Sequence, residues 1–104
     1  LAFHAVDNPE LICFSKIEAG SSDRIVVVVN LDPRHRQTGW VDLDLTGLDL
    51  AHDRPYQMHD LLTGERYLWH GGRNFVALDP QSIPAHVFVA RQHVRREHDF
   101  DYFM

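Results

Sequence analysis

The sequence predicts an all-β domain, either a sandwich or a barrel, built from about eight short strands. Apolar residues alternate with polar ones or form β-branched runs along the whole chain, and short clusters of Gly, Pro, Asn and Asp separate these segments. Helical periodicity is nearly absent. The predicted strands cover residues 1–5, 11–17, 24–31, 38–45, 56–60, 65–69, 74–78 and 85–91.

Two of these segments have patterns that predict how they are buried. Residues 25–29, one Ile followed by four Val, are apolar on both faces, which predicts a central strand with one side in the core and the other covered. Residues 41–45 alternate strictly, so we expect their three apolar side chains to be buried and their two Asp side chains to face water. Trp40 is then expected to point away from the buried set.

Turn signals separate the strands. Asp32-Pro33 is expected to end the central strand, because proline lacks the N–H group that a ladder needs. Gly64 lies where a tight hairpin requires a positive φ, between the strands at 56–60 and 65–69. Residues 70–73 and 79–82 predict two further turns.

Composition limits what the chain can be. Its 104 residues suffice for one domain, whereas a (β/α)₈ barrel needs about 250 residues. The net charge of −5 disfavours nucleic acid and anionic membranes as partners, and no apolar run is long enough for a membrane helix. The single cysteine, Cys13, cannot form an internal disulfide, is expected to be a buried thiol, and is compatible with a reducing cytoplasm. Because Leu1 already lies in strand-like sequence, we expect a piece of a longer protein.

Catalytic and metal motifs are not evident in the sequence. Glycoside chemistry needs two carboxyl groups at a fixed separation, but the Asp residues are expected on a wet strand face, at turns or in the tail. Ser residues lack a nucleophile motif. The histidines have no zinc-ligand spacing, and His59 and His86 are expected to be structural, so we predict no catalytic residue, no metal site and no cofactor. The eight histidines are His4, His35, His52, His59, His70, His86, His93 and His98.

Exposed aromatic side chains leave a binding module open as an alternative, because sugar rings stack on flat aromatic faces. Tyr67 and Trp69 are two residues apart on one predicted strand and share a face. Trp40, Tyr67 and Trp69 are therefore the candidate carbohydrate-binding residues. For Trp40, packing against a neighbouring domain or a core edge is the competing interpretation.

Four strings of the sequence resemble a known family. Residues 26–33 read VVVVNLDP, residues 60–69 read DLLTGERYLW, residues 73–80 read RNFVALDP and residues 84–88 read PAHVF. In this order and spacing they are similar to the C-terminal domain of α-amylase superfamily enzymes, glycoside hydrolase family 13. The similar branch is that of bacterial α-1,4-glucan:maltose-1-phosphate maltosyltransferases, and the resemblance covers nearly all of residues 1–94.

The resemblance implies an antiparallel Greek-key β-sandwich that packs on the barrel of the same parent chain. It also implies a cytoplasmic parent that transfers maltosyl units from maltose 1-phosphate to α-1,4-glucans with retention. The family's catalytic residues belong to its barrel, and none maps onto this sequence. The partners implied are the barrel and, in the alternative, α-glucan; a homodimeric parent, a trehalose synthase and a hydrolase remain open.

Residues 95–104 differ in pattern from the rest of the chain. Charged residues come first and aromatic residues follow, without a strand period. We expect a C-terminal tail after a sandwich domain of residues 1–94. Exposed aromatic side chains promote association with other apolar surfaces. We therefore expect the tail aromatic residues to dock on this domain or on a neighbouring one; they are Phe100, Tyr102 and Phe103.

Overall fold

A computed structural model describes residues 1–18 and 23–92, and within these ranges the chain is all-β and contains eight strands. All eight predicted strands are present, most of them within one residue of the expected bounds. The strands are β1 Ala2–Val6, β2 Leu11–Ile17, β3 Arg24–Asn30, β4 Gln37–Asp42, β5 Tyr56–Asp60, β6 Arg66–Trp69, β7 Arg73–Leu78 and β8 Ala85–Arg91.

The strands are antiparallel throughout and follow the spatial order β6-β5-β8-β3-β2-β1-β4-β7. Strands β1, β2 and β3 form a meander, and β4 returns to lie beside β1, which is the Greek-key arrangement. Strand β1 belongs to two ladders. Its first part pairs with β2, from Ala2 opposite Ser15, and its end pairs with β4, with Val6 opposite Val41.

Strand β4 is shorter than predicted. We expected a strand to residue 45, but the ladder with β7 ends where Asp42 lies opposite Arg73. Beyond that point the chain turns, because the Asp44 side chain accepts a hydrogen bond from Gly47 N and its carbonyl accepts one from Leu48 N. The expected burial is nevertheless confirmed, since the apolar residues of 41–45 are buried and both Asp residues are exposed.

The central strand β3 ends as predicted, before Pro33. Asn30 closes it, because its Oδ1 accepts a hydrogen bond from Asp32 N at 2.8 Å, a local turn that competes with the ladder. Its Nδ2 donates to the carbonyl oxygens of His35 and Leu78, each at 3.0 Å, which anchors the loop after β3 to the end of β7. The prediction of a covered second side is wrong for the described residues, where Val27 and Val29 are only half-buried.

The remaining turns have the expected geometry. Gly64 and Gly71 adopt φ values of 79° and 63°, which residues other than glycine rarely adopt. The 79–82 turn is closed by a hydrogen bond from Ser82 N to the carbonyl of Asp79 at 3.1 Å. The expectations for the aromatic tail concern residues outside those described.

The core lies between the two layers of the folded sheet. Both layers supply it with side chains, which is the sandwich arrangement. The 44–50 turn adds Leu45, Leu48 and Leu50 to it. From the strands it contains Leu11, Cys13, Val26, Val28, Val41, Tyr56, Met58, Trp69, Val76, Leu78, Phe88 and Ala90.

Candidate functional site

Asp32, one of the predicted turn carboxylates, has a structural role. Its Oδ1 accepts hydrogen bonds from the backbone N–H groups of Arg34 and His35 at 2.9 and 3.2 Å. Its Oδ2 accepts one from Gln37 Nε2 at 2.9 Å and lies 3.0 Å from His35 Nδ1. The backbone hydrogen bond from Arg34, with the other donors, lowers the pKa of Asp32 to about 2. A carboxyl group held ionised in this way is unsuited to act as a general acid.

Among the described residues the most buried acid is Asp60, which sequence reasoning did not single out. Its side chain is fully buried, and Oδ2 lies 2.7 Å from Nδ1 of His86 on the neighbouring strand β8. Burial raises the pKa of Asp60, but the hydrogen bonds from His86 and from Leu62 N outweigh it, so the pKa is lowered overall. His86 is therefore the structural imidazole that the sequence predicts. Strand periodicity could have identified Asp60, because alternate residues of a strand share a face and Asp60 lies on the face of the buried Tyr56 and Met58.

Tyr67 and Trp69 share the inner face of β6, as their spacing predicts. The Trp69 ring is only 7% exposed, and its centroid lies 5.3 Å from Phe88 and 6.4 Å from Tyr56. Trp69 therefore offers no free ring face to a sugar. Tyr67 is half-buried, and its hydroxyl donates a hydrogen bond to Glu65. This hydrogen bond raises the pKa of Tyr67 to about 12.

A shallow cavity of about 230 Å³ opens beside this aromatic cluster. Most of its described lining side chains are apolar or aromatic, and Tyr67, Trp69 and His86 add polar groups to the wall. Among the described residues, no carboxylate lines it. The lining residues are Tyr67, Trp69, Phe75, Val76, Ala77, Ile83, His86 and Phe88.

Trp40 lies apart from Tyr67 and Trp69, on the solvent side of the β4–β7 layer. Its side chain is 41% exposed and makes an edge contact with Phe75, which is 50% exposed and directly opposite on β7. Arg73 Cζ lies 5.3 Å from the Trp40 ring, and the guanidinium lies 3.4 Å from Asp42 and 3.6 Å from Asp7. We call these five residues the Trp40 patch. The structure thus keeps two of the candidate carbohydrate-binding residues, Tyr67 and Trp69, on one face and places the third, Trp40, on a different surface.

Metal-ligating side chains do not cluster in the part of the chain that the structure describes, where no three His, Cys, Asp or Glu residues could hold an ion. His93 and His98 lie outside it. Cys13 is buried and unpaired by disulfide, and burial raises the pKa of its thiol to about 12. This thiol is therefore a poor nucleophile near neutral pH. Within the described ranges, no helix has the length and apolar character needed to cross a membrane.

Comparison with known proteins identifies the family of the chain. The family described as "GLGE, C-terminal" matches residues 3–90. Two α-1,4-glucan:maltose-1-phosphate maltosyltransferases of Streptomyces coelicolor, numbered 1 and 2, are 46% and 45% identical over 84% and 92% of this chain. The enzyme of the same name from Corynebacterium glutamicum is 42% identical over 84% of the chain.

These alignments account for only a small part of each relative. The chain covers 12% of the first Streptomyces coelicolor protein and 13% of the second and of the Corynebacterium glutamicum protein. The description of the matching family refers to a C-terminal segment. By this match and by its all-β fold, the chain belongs to the GLGE C-terminal domain family.

Proposed function

We propose that this chain is the non-catalytic C-terminal domain of an α-1,4-glucan:maltose-1-phosphate maltosyltransferase, and that it packs on and stabilises the barrel that carries the chemistry. The observation that carries the proposal is the match of a C-terminal family to residues 3–90, together with relatives of which this chain covers only 12–13%. The parent is proposed to be a cytoplasmic glycosyltransferase. Residues 1–94 would form the domain and 95–104 its tail.

The arrangement of carboxylates supports a non-catalytic role. A retaining glycosyl transfer needs two carboxyl groups about 5–5.5 Å apart across a sugar site. Asp60 is fully buried against His86, and Asp32 is bound by backbone N–H groups. Neither has a raised pKa, which an acid catalyst at neutral pH would need.

The test is to express the full parent polypeptide and the fragment 1–104 side by side. Phosphate release from maltose 1-phosphate, with glycogen as acceptor, measures maltosyl transfer. We expect the parent to release phosphate and the fragment to give only the buffer rate. Phosphate release by the fragment would contradict the non-catalytic role, and an inactive parent would contradict the assigned reaction.

A second candidate function, α-glucan binding, is favoured by the Trp40 patch. Two exposed aromatic side chains lie side by side there, and Arg73 and Asp42 supply charged hydrogen-bonding groups at their edge. Aromatic faces flanked by polar groups are a common basis for sugar binding. Strands β4 and β7 would then hold the glucan, while Tyr67 and Trp69 would only maintain the core.

Isothermal titration of the chain with maltoheptaose tests this candidate. Binding in the millimolar range or tighter is expected, with loss of heat on Trp40→Ala. Leu62→Ala is the matched control, because Leu62 is 60% exposed but lies at the β5–β6 turn. No measurable heat with the unaltered chain, or equal heats for both variants, would contradict glucan binding at the patch.

A further inference from the structure

The solvent side of the layer formed by β1, β2, β3 and β8 carries a continuous apolar surface, which we call the outer face. Direct pairing places Phe3, Phe14, Val27 and Val87 in one row across the four strands. The rings of Phe3 and Phe14 lie 5.9 Å apart, and Phe3 is 67% exposed. The two aromatic members of the row are thus in contact, Phe3 is open to water, and Phe14, Val27 and Val87 are half-buried.

Two further rows extend the outer face on either side. One consists of Ile12, Val29 and Ala85, which are all half-buried. In the other, Ile25 and Val89 are flanked by polar residues, with Lys16 at one end and His59 and Arg66 at the other. The centre of the outer face is therefore apolar, and this part of its rim is polar and basic.

An antiparallel sheet that faces water on one side normally alternates apolar and polar residues. Strand β3 departs from this rule, because its outward residues 25, 27 and 29 are as apolar as its inward ones. An apolar centre within a polar rim is the composition of a protein–protein interface.

We propose that the outer face is the surface on which the part of the parent polypeptide preceding this domain packs. The inference rests on the proposed function and adds to it the identity of the surface. The length of polypeptide available supports this occupant, since the relatives carry 87% or more of their residues outside the matched C-terminal segment. Strand β1, the first described strand, supplies Phe3 to this face, so the preceding polypeptide would join the chain beside the outer face.

The chemistry of the surface also specifies its partner. Burial of Phe3, Phe14 and the β3 side chains requires a rigid apolar surface of matching shape. Arg66 and Arg91 at the rim favour acidic groups at the margin of that partner, because like charges opposed across an interface are costly. Lys16 already has an acidic partner in this chain, Glu18, at 3.2 Å. The face of the other layer that carries the Trp40 patch differs, since Asp42 and Arg73 interrupt it.

Cysteine labelling of the full parent polypeptide tests the assignment. Phe3→Cys is compared with Leu62→Cys and Phe75→Cys, both exposed positions outside the outer face. Maleimide modification is followed on the peptide that carries each cysteine and is normalised to the rate in denaturant. We expect position 3 to be labelled at least about tenfold more slowly than both controls, because labelling requires separation of the packed parts.

Every other result overturns the proposal. Labelling at position 3 as fast as at the controls shows that nothing covers the face. Protection that increases with protein concentration identifies a second copy of the chain as the occupant. Protection that disappears in a parent truncated after Gln92 identifies the C-terminal residues as the occupant.

The same preparations separate this inference from the proposed function. Maltosyl transfer by the parent is measured alongside the labelling. An active parent with an unprotected position 3 contradicts only the assignment of the face. If position 3 is protected from labelling but the parent has no transferase activity, the proposed function is contradicted and the assignment of the outer face as the packing surface is not.

Discussion

Asp60 and His86 form a buried hydrogen-bonded pair that connects β5 to β8, with 2.7 Å between Oδ2 and Nδ1. The lowered pKa of Asp60 keeps the carboxylate ionised, so the Nδ1–H group of His86 donates to it. Oδ1 of the same carboxylate accepts from Leu62 N at 3.0 Å and fixes the start of the β5–β6 turn. One side chain thus ties a turn to a neighbouring strand in the interior of the sheet.

The first prediction concerns the removal of this carboxylate. Asp60→Ala leaves the Nδ1–H group of the buried His86 without its acceptor and also removes the acceptor of Leu62 N at the turn. We expect the free energy of unfolding to fall by about 3–5 kcal/mol. Urea unfolding of the 104-residue chain measures the change. Asp53→Ala is the control, because the Asp53 side chain is 86% exposed, and a surface change of this kind is expected to stay within about 0.5 kcal/mol. Equal losses for the two variants would contradict a structural role for the pair.

The second prediction is a dependence of stability on pH through Asp32. Its pKa is lowered from 3.8 to about 2 in the folded chain, so its contribution is complete above pH 3.8 and is lost as the pH falls through about 2. Asp32→Asn keeps the shape and removes the charge. Unfolding measured from pH 7 to pH 2 should show the original chain more stable at neutral pH, with the difference disappearing at the acid end. A difference that is constant over this range would refute the assignment.

The third prediction concerns the reactivity of Cys13. Its thiol is 1% exposed and its pKa is raised to about 12, so at pH 8 it is both inaccessible and neutral in the native state. We expect a disulfide reagent such as Ellman's reagent to leave the folded chain unmodified and to react with one thiol after unfolding in guanidinium. Rapid reaction of the native chain would show that the β2–β3 core opens readily.

The fourth prediction compares two turn glycines. A Cβ at Gly72 would lie 2.6 Å from the carbonyl oxygen of Leu43, which is backbone and cannot move alone. Gly72→Ala also disturbs the hydrogen bond from Leu43 N to Gly72 O, so we expect a loss of about 3 kcal/mol. Gly64 has open space around it and a φ of 79°, so Gly64→Ala carries only backbone strain of about 1 kcal/mol. Thermal unfolding of both variants measures which loses more stability. A larger loss for Gly64→Ala than for Gly72→Ala would contradict this prediction.

Local sequence patterns were enough to predict the strands. Period-2 alternation gave β2, β5 and β8 within their observed bounds, because alternation reports directly which side of a strand is buried. The glycines at 64 and 71 fixed two turns for the same kind of local reason. The end of β4 was not predicted, because the alternation of residues 41–45 continues past it into the turn in which Asp44 accepts a hydrogen bond from Gly47 N.

The candidate site was less accessible to sequence reasoning. Spacing correctly put Tyr67 and Trp69 on one face, but a four-residue strand does not reveal whether that face is inside. Its pairing with β5 decides this, and it buries Trp69 against Phe88 while leaving Trp40 on another surface. The contact of Asp60 with His86, 26 positions away in the sequence, likewise depends on the β5–β8 ladder.

Strand β1 has a practical consequence for anyone who redraws the limits of this domain. It is the seam of the sandwich, since it is hydrogen-bonded to β2 in one layer and to β4 in the other. A chimera spliced downstream of Val6 would keep seven strands but lose the ladder that joins β2 to β4. A fusion of this domain to another enzyme therefore needs its junction upstream of Ala2, so that β1 is included together with the two layers that it connects.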